Sequence, residues 1–140
     1  MKVEQISIFL ENKEGRIAEV TSILYKANVN IRALSLADTN DFGVLRLIVD
    51  NSEVAEKALK ENEFTVGKTN VVAVEVDDQP GGLHRILTIL DEENLNVEYM
   101  YAYVPENVEK PIMIFRFDNT EAAIKALESK NIRVVSEKSF

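Results

Sequence analysis

The chain has 140 residues, of which 46% are hydrophobic and 29% charged, and its formal net charge at pH 7 is -8. This mixture is typical of a folded globular protein, while the acidic balance disfavours nucleic-acid and anionic membrane partners, which attract clustered Lys and Arg. The absence of cysteine excludes disulfides, thiolate metal sites and cysteine nucleophiles. No signal peptide or membrane span is recognisable, so we expect a cytoplasmic protein.

The first half of the chain opens with a strand and a helix. Residues 3–10 alternate between apolar and polar side chains, which predicts a half-buried strand. From Ile17 to Ala27 the apolar residues fall at helical spacing, so an amphipathic helix is predicted there, with Asn28 as its stop. A polar turn closed by Gly15 joins the two elements.

The rest of this half predicts two strands, a short helix and a fourth strand. Residues 30–38 and 44–49 are strand-like, and the DTND sequence between them has the composition of a hairpin turn. The helix begins near Ser52, which we expect to cap it, and the last strand starts at Phe64. The predicted order is therefore βαββαβ.

The second half repeats the first. The segment from Asn12 to Leu34 returns from Asp78 to Met100, and DNSEVAEKAL returns as DNTEAAIKAL with seven identical residues in ten positions. Two copies are too few for a solenoid, so duplication of a small domain is the better interpretation. We expect domains at 1–69 and 70–140, with residues 67–70 as a short joint between them.

Each βαββαβ copy predicts an α+β, ferredoxin-like domain, with an antiparallel four-stranded sheet and both helices on one face. We expect the two sheets to pair side by side into one eight-stranded sheet. Tyr99, Tyr101 and Tyr103 share one face of the second strand in copy two, where they either close an interface or belong to the core.

These residues resemble the ACT domain family over nearly the whole chain, twice. The resemblance is carried by a polar turn ending in glycine, an amphipathic helix and a strand that opens at Asn30 or Asn96, inside a βαββαβ unit. The family resemblance implies a regulatory module without cofactor or catalysis that binds an amino acid or a similar small molecule, usually between two copies. A second copy of the chain or a separate effector protein would receive the signal.

The resemblance also implies the ligand-binding residues. They lie at the turn before each first helix and at the start of each second strand: Asn12, Gly15, Ile17, Asn30, Ile31, Asp78, Gly81, Leu83 and Asn96. The sequence departs from the family pattern at Glu14, where proline is usual, and at Leu10 and Val76, where some serine-binding members carry histidine. Gly82 is expected to add flexibility to the second turn.

The chemistry of an amino acid fits these positions independently of the family. Backbone N–H groups at a helix start can hold a carboxylate, and the side-chain oxygen of Asn12 or Asp78 can accept from an ammonium group. The alternative is structural: Asn12 and Asp78 only cap their helices, and Asn30 and Asn96 only stabilise a turn.

Other functions have weaker support in the sequence. His84 is the only histidine, which excludes a His-based metal cluster or a Ser-His-Asp triad within one chain, and we expect it on a helix surface. A ferredoxin-like enzyme would need a convergent polar cluster, which the sequence does not show. Protein interaction and single-stranded RNA binding on the tyrosine row remain alternatives, although the net charge opposes RNA.

Overall fold

The computed structural model describes residues 2–38, 40–103, 105 and 109–139. They form two compact units. The N-terminal unit is Glu4–Thr69, and the C-terminal unit runs from Asn70 onward and includes Lys2 and Val3.

The N-terminal unit follows the predicted order. Its elements are β1 (Val3–Glu11), α1 (Arg16–Lys26), β2 (Ile31–Asp38), β3 (Phe42–Val49), α2 (Ser52–Glu61) and the first part of β4 (Thr65–Glu75). Strands β2, β3 and β1 are adjacent and antiparallel, and β4 lies beside β1. The hairpin between β2 and β3 is present as predicted, with Thr39 outside the described residues.

The C-terminal unit repeats this order. After the second part of β4 come α3 (Gly82–Glu92), β5 (Val97–Tyr103), β6 (Ile112–Phe117), α4 (Thr120–Ser129) and β7 (Val134–Val135). The strand order is β7-β4-β6-β5, antiparallel throughout. The prediction of two ferredoxin-like βαββαβ copies is confirmed, whereas the pairing of their sheets stays a prediction.

The predicted joint between the copies is part of a strand. Residues 67–70 lie inside the continuous strand β4, so the described part of the chain has seven strands instead of eight. Gly, Lys, Thr and Asn have the composition of a turn, but sheet pairing outweighs composition in a strand. Lys68 adds ion pairs to Glu4 and Glu56, with N–O distances of 3.6 and 3.7 Å.

One core lies in each unit, between the sheet and its two helices. In the N-terminal unit, Ile6, Ile8 and Leu10 of β1 are buried with Val20 and Leu24 of α1, as their spacing predicts. The equivalent core of the C-terminal unit contains buried side chains from the matching positions: Val72, Val74, Val76, Ile86 and Leu90. Burial of these apolar faces holds each helix against its sheet.

The helix ends, like the cores, are similar in the two units. All four helices are followed by a residue with left-handed backbone; these residues are Asn28, Glu63, Asn94 and Asn131, with φ between 56° and 66°. The Val29 N–H then donates to the Leu24 carbonyl at 2.9 Å, which satisfies a carbonyl at the end of α1. The predicted helix stop at Asn28 is confirmed.

The helix cap predicted at Ser52 is wrong. Asn51 is the cap of α2, and its side-chain oxygen accepts from the Val54 N–H at 3.2 Å. Asn119 caps α4 in the same way through Ala122. Asn and Ser are both good caps, so only the backbone conformation, which is extended at Asn51, distinguishes between them. The Ser52 hydroxyl instead bonds the Glu4 carboxylate.

Candidate functional site

The turn between β1 and α1 ends in a glycine whose conformation other residues rarely adopt. Gly15 has φ +83° and occupies the N-cap position of α1, and no side chain caps this helix. Asn12 therefore does not cap α1, and the capping alternative for this residue is wrong. Asn12 is exposed, and its backbone N–H donates to the Asp41 carbonyl at 3.0 Å.

The corresponding turn of the C-terminal unit has the same backbone. Gly81 has φ +90° and is the N-cap of α3, again without a capping side chain, so Asp78 does not cap its helix either. Asp78 is exposed and lines an open hollow of about 360 Å³. The other residues that line this hollow are Asp77, Gln79, Glu109 and Lys110.

Both glycines leave the first turn of their helix accessible. A Cβ atom placed on Gly15 or on Gly81 would have no heavy atom within 4 Å. The first N–H groups of any α-helix lack partners within the helix, and neither helix has a capping side chain to accept from them. The two turns thus present backbone donors at the positive end of a helix dipole, in open space.

The start of β2 is held by an aspartate that the sequence analysis did not single out. The Asp50 carboxylate accepts from the Asn30 N–H at 3.0 Å, and the Asp50 N–H donates to the Asn30 carbonyl at 3.1 Å. Asp118 makes the same pair of bonds with Asn96, at 3.2 and 3.3 Å. The backbone of each asparagine therefore has a structural role, as the turn alternative predicts, while each asparagine lies at the exposed start of its strand.

The two halves of the predicted site are separated within a unit. The turn at Gly15 precedes α1 and Asn30 follows it, so the 11 residues of the helix place them about 16 Å apart. Gly81 and Asn96 are separated in the same way by α3, which also has 11 residues. Neither unit brings its turn and the start of its second strand together.

The apolar members of the predicted site differ in exposure. Ile17 is 40% exposed, although the helical stripe predicts that it faces the core. Ile31 and Leu83 are half-buried and pack against the cores of their own units. Ile17 therefore borders the Gly15 turn as an accessible apolar surface.

A charged pair borders the second turn. The Lys110 ammonium donates to the Asp77 carboxylate at 2.8 Å. This hydrogen bond, with the positive charge of Lys110, lowers the pKa of Asp77 below its ordinary value of 3.8. The same contact raises the pKa of Lys110 above 10.5. Antiparallel pairing brings the start of β6 beside the end of β4, which is the signal by which Lys110 could have been found from the sequence.

Other predicted features are located as follows. His84 is exposed on the first turn of α3, as expected for a surface residue. Tyr99, Tyr101 and Tyr103 are half-buried and lie opposite Arg116, Ile114 and Ile112 of β6. Within the described ranges, no group of three His, Asp or Glu side chains is arranged to hold a metal ion. The described helices include none that is long and apolar enough to cross a membrane.

Comparison with known proteins identifies the family. The family profile described as "ACT domain pair" matches residues 1–140. A solved structure of a protein from Bacteroides thetaiotaomicron is 40% identical, with a TM-score of 0.91, and the match covers 98% of this chain and 94% of that one. A search of curated proteins gives no match.

More distant structures share the fold. The regulatory subunit of aspartate kinase from Thermus thermophilus is 16% identical with a TM-score of 0.62, over 90% of this chain and 91% of that one. The corresponding Thermus flavus subunit is 14% identical with a TM-score of 0.61, over 90% of each chain. With its two βαββαβ units and the match along its whole length, the chain belongs to the ACT domain pair family, whose domains are regulatory ligand-binding modules.

Proposed function

We propose that this protein is a regulatory sensor of a small amino acid, which binds at the turns closed by Gly15 and Gly81. The observation that carries this proposal is the pair of uncapped helix starts, each with a left-handed glycine in open space. We also propose that residues 1–69 and 70–140 are the two domains, which agrees with the change of compact unit after Thr69. In this proposal the protein has no catalytic activity of its own.

The turn supplies complementary groups for both charges of an amino acid. The free N–H groups of the first helical turn hold the carboxylate, and the helix dipole favours its negative charge. The Asn12 amide oxygen or the Asp78 carboxylate accepts from the ammonium group. Glycine at the cap allows the ligand to approach the backbone closely.

The two turns differ in their expected strength. The side chain at the second turn is the carboxylate of Asp78, where the first turn has the neutral amide of Asn12, so only Asp78 adds the attraction between opposite charges to its hydrogen bond with the ammonium group. Lys110 adds a cation to the hollow beside Asp78. We therefore propose that the turn of the C-terminal unit binds the amino acid more tightly than the turn of the N-terminal unit.

The separation of turn and strand start has a consequence for assembly. Asn30 and Asn96 lie about 16 Å from the turn of their own unit, so they reach the same ligand only if it lies between two copies of the domain. In that arrangement the ligand contacts two domains at once and favours the state in which they are closed. A second chain or a separate effector protein would then respond to that state.

A protein-interaction module without a metabolite is the second candidate, and one observation favours it. Several large apolar side chains of the N-terminal unit are accessible: among them, Leu34 and Leu36 on β2 are 58% and 49% exposed, and Ile17 on α1 is 40% exposed. Accessible apolar side chains of this kind are typical of protein interfaces. This candidate predicts a stable protein complex and no response to amino acids.

A thermal-shift screen with the twenty amino acids distinguishes the two candidates. A ligand that binds only the folded state raises the free energy of unfolding, by about 2.7 kcal/mol when its concentration is a hundred times its Kd. The melting temperature rises as a result. We expect at least one amino acid to stabilise the protein and Asp78→Ala to abolish most of that shift.

Asp91→Ala is the matched control for this screen. It removes the same charge from the same unit, but Asp91 lies near the far end of α3. The control should keep the full response. Loss of response in both variants, or no response to any amino acid in the unmodified protein, would contradict the sensor proposal.

A further inference from the structure

A second, more enclosed cavity lies in the C-terminal unit and shares Asp77 and Lys110 with the open hollow. Its volume is about 140 Å³. Six of the residues that line it carry the argument: Glu75, Asp77, Gly82, Arg85, Lys110 and Arg133. We refer to this cavity as the Arg85 cleft.

The Arg85 cleft depends on the absence of a side chain at residue 82. Gly82 is buried at the start of α3, and a Cβ atom there would lie 2.0 Å from the Asp77 carbonyl oxygen. The sequence analysis expected Gly82 to add flexibility. In the structure, Gly82 allows the helix start to pack directly on the backbone of the preceding turn.

The matching position in the N-terminal unit is filled. Arg16 takes the place of Gly82, and its guanidinium carbon lies 4.6 Å from the centre of the Phe64 ring. The same guanidinium pairs with Glu19 at 2.8 Å. The N-terminal unit therefore has an arginine side chain at the turn position where the C-terminal unit has no side chain.

The cleft contains more positive than negative side chains. Lys110 pairs with Asp77 at 2.8 Å, and Arg133 pairs with Glu75 at 2.9 Å. Arg85 has no carboxylate partner within salt-bridge distance in the described part of the chain, and its single hydrogen bond there, to the Lys130 carbonyl, is long at 3.4 Å. Arg85 is therefore the cation of the cleft that forms no ion pair, although its charge also helps to lower the pKa of Asp77.

We propose that the Arg85 cleft binds a small monovalent carboxylate, with the carboxylate group on the Arg85 guanidinium and Lys110 beside it. The planar fork of arginine matches a carboxylate in a bidentate arrangement. One negative charge balances the excess cation, whereas a phosphate dianion would lie against Asp77 and Glu75 with excess negative charge. If each water-sized group of the ligand occupies about 30 Å³, the volume of the cleft holds a ligand of roughly four or five heavy atoms.

This site is separate from the amino-acid site proposed at the turn. The carboxylate on Arg85 needs neither the Asp78 side chain nor the N–H groups beside Gly81. Asp77 and Lys110 border both the cleft and the open hollow, so they form a shared wall between the two sites.

A titration with sodium acetate, followed by ¹H–¹⁵N NMR at constant ionic strength against sodium chloride, tests the proposal. We expect saturable shifts at the backbone N–H groups of Gly82, Arg85 and Ile86 and at the Arg85 side-chain Nε–H. The matching residues Arg16 and Glu19 should not shift, because the Arg16 guanidinium already pairs with the Glu19 carboxylate.

Two variants and a second anion complete the experiment. Arg85→Gln should raise the Kd for acetate on the order of tenfold, since it removes a hydrogen bond to a charged group. Arg32→Gln, which removes an exposed arginine from the N-terminal unit, should leave the Kd unchanged. Asp78→Ala should retain saturable acetate binding, so that this proposal and the amino-acid proposal fail separately.

Three results would overturn the proposal: shifts that rise linearly with acetate without saturation, an unchanged Kd in Arg85→Gln, or tighter binding of inorganic phosphate than of acetate. The last result would assign the cleft to phosphate instead of carboxylate ligands. Arg85 is exposed, so its replacement by Gln is compatible with folding, which the dispersion of the same NMR spectra verifies.

Discussion

The turns before α1 and α3 have nearly the same backbone and different chemistry. Their cap glycines have φ +83° and +90°, but the next residue is Arg16 in one unit and Gly82 in the other. The Arg16 N–H lies 3.5 Å from the Lys13 carbonyl, while the Gly82 N–H donates to Gln79 at 3.0 Å, so the second turn is tighter. The backbone of the turn is the same in both copies, and the copies differ in the residue that follows the cap glycine.

The largest effect is expected from adding a side chain at residue 82. Gly82→Ala places a methyl group against the Asp77 carbonyl, which forces the backbone apart and should lower the free energy of unfolding by about 1–3 kcal/mol. Urea denaturation measures this change. Gly67→Ala is the control, because a Cβ atom there has no heavy atom within 4 Å. Equal stability of the two variants would show that the tight turn contributes nothing.

A smaller effect is expected at the helix ends, where the copies differ by one residue. Glu63 follows α2 with φ +66°, and Asn131 occupies the matching position after α4 with φ +60°. Asparagine tolerates left-handed backbone better than glutamate, so Glu63→Asn should raise the free energy of unfolding by about 0.5–1 kcal/mol. Asn131→Glu should lower it by a similar amount. The same sign for both substitutions in urea denaturation would refute this explanation.

The smallest effect is expected from the Asp77–Lys110 pair. In the N-terminal unit Glu11 matches Asp77, but Phe42 stands at the position of Lys110, and Glu11 pairs with Lys13 instead. The pKa of Asp77 is lowered, so its contribution to stability is present above the ordinary value of 3.8 and is lost as the pH falls through the folded-state pKa. The pKa of Lys110 is raised, so its contribution to stability is present below the ordinary value of 10.5 and is lost as the pH rises through the folded-state pKa.

Denaturation of Asp77→Asn and Lys110→Gln across the pH range tests this window. Each variant should be slightly less stable than the unmodified protein between about pH 5 and 9, and the difference for Asp77→Asn should disappear in acid. A difference that grows as the pH falls would have the wrong sign for a lowered aspartate pKa.

The repeated elements were predictable because they depend on local patterns. Apolar spacing located α1 and α3, alternation located β1, and Asn28 marked a helix end. These features need only the sequence within one element. The family resemblance was carried by the same patterns, and it is confirmed over the whole chain.

The errors and omissions concern contacts and backbone conformations that the pattern of residue types does not show. Asp50 stood in the repeated block, but its bonds to Asn30 join residues 20 positions apart, and no local pattern shows them. The role of Gly82 depends on how closely the Asp77 carbonyl approaches, which only coordinates show. The uncapped state of α1 was missed for a related reason: Asn12 is a good capping type, but Gly15 occupies the cap position.

Mapping of the backbone N–H groups during an amino-acid titration tests the central claim most directly. With the amino acid that gives the largest thermal shift, the account predicts saturable ¹H–¹⁵N shifts at Gly81, Gly82 and Leu83, with weaker shifts at Gly15, Arg16 and Ile17. Saturable shifts elsewhere without any at these six positions, or no saturable shift with any of the twenty amino acids, would contradict it.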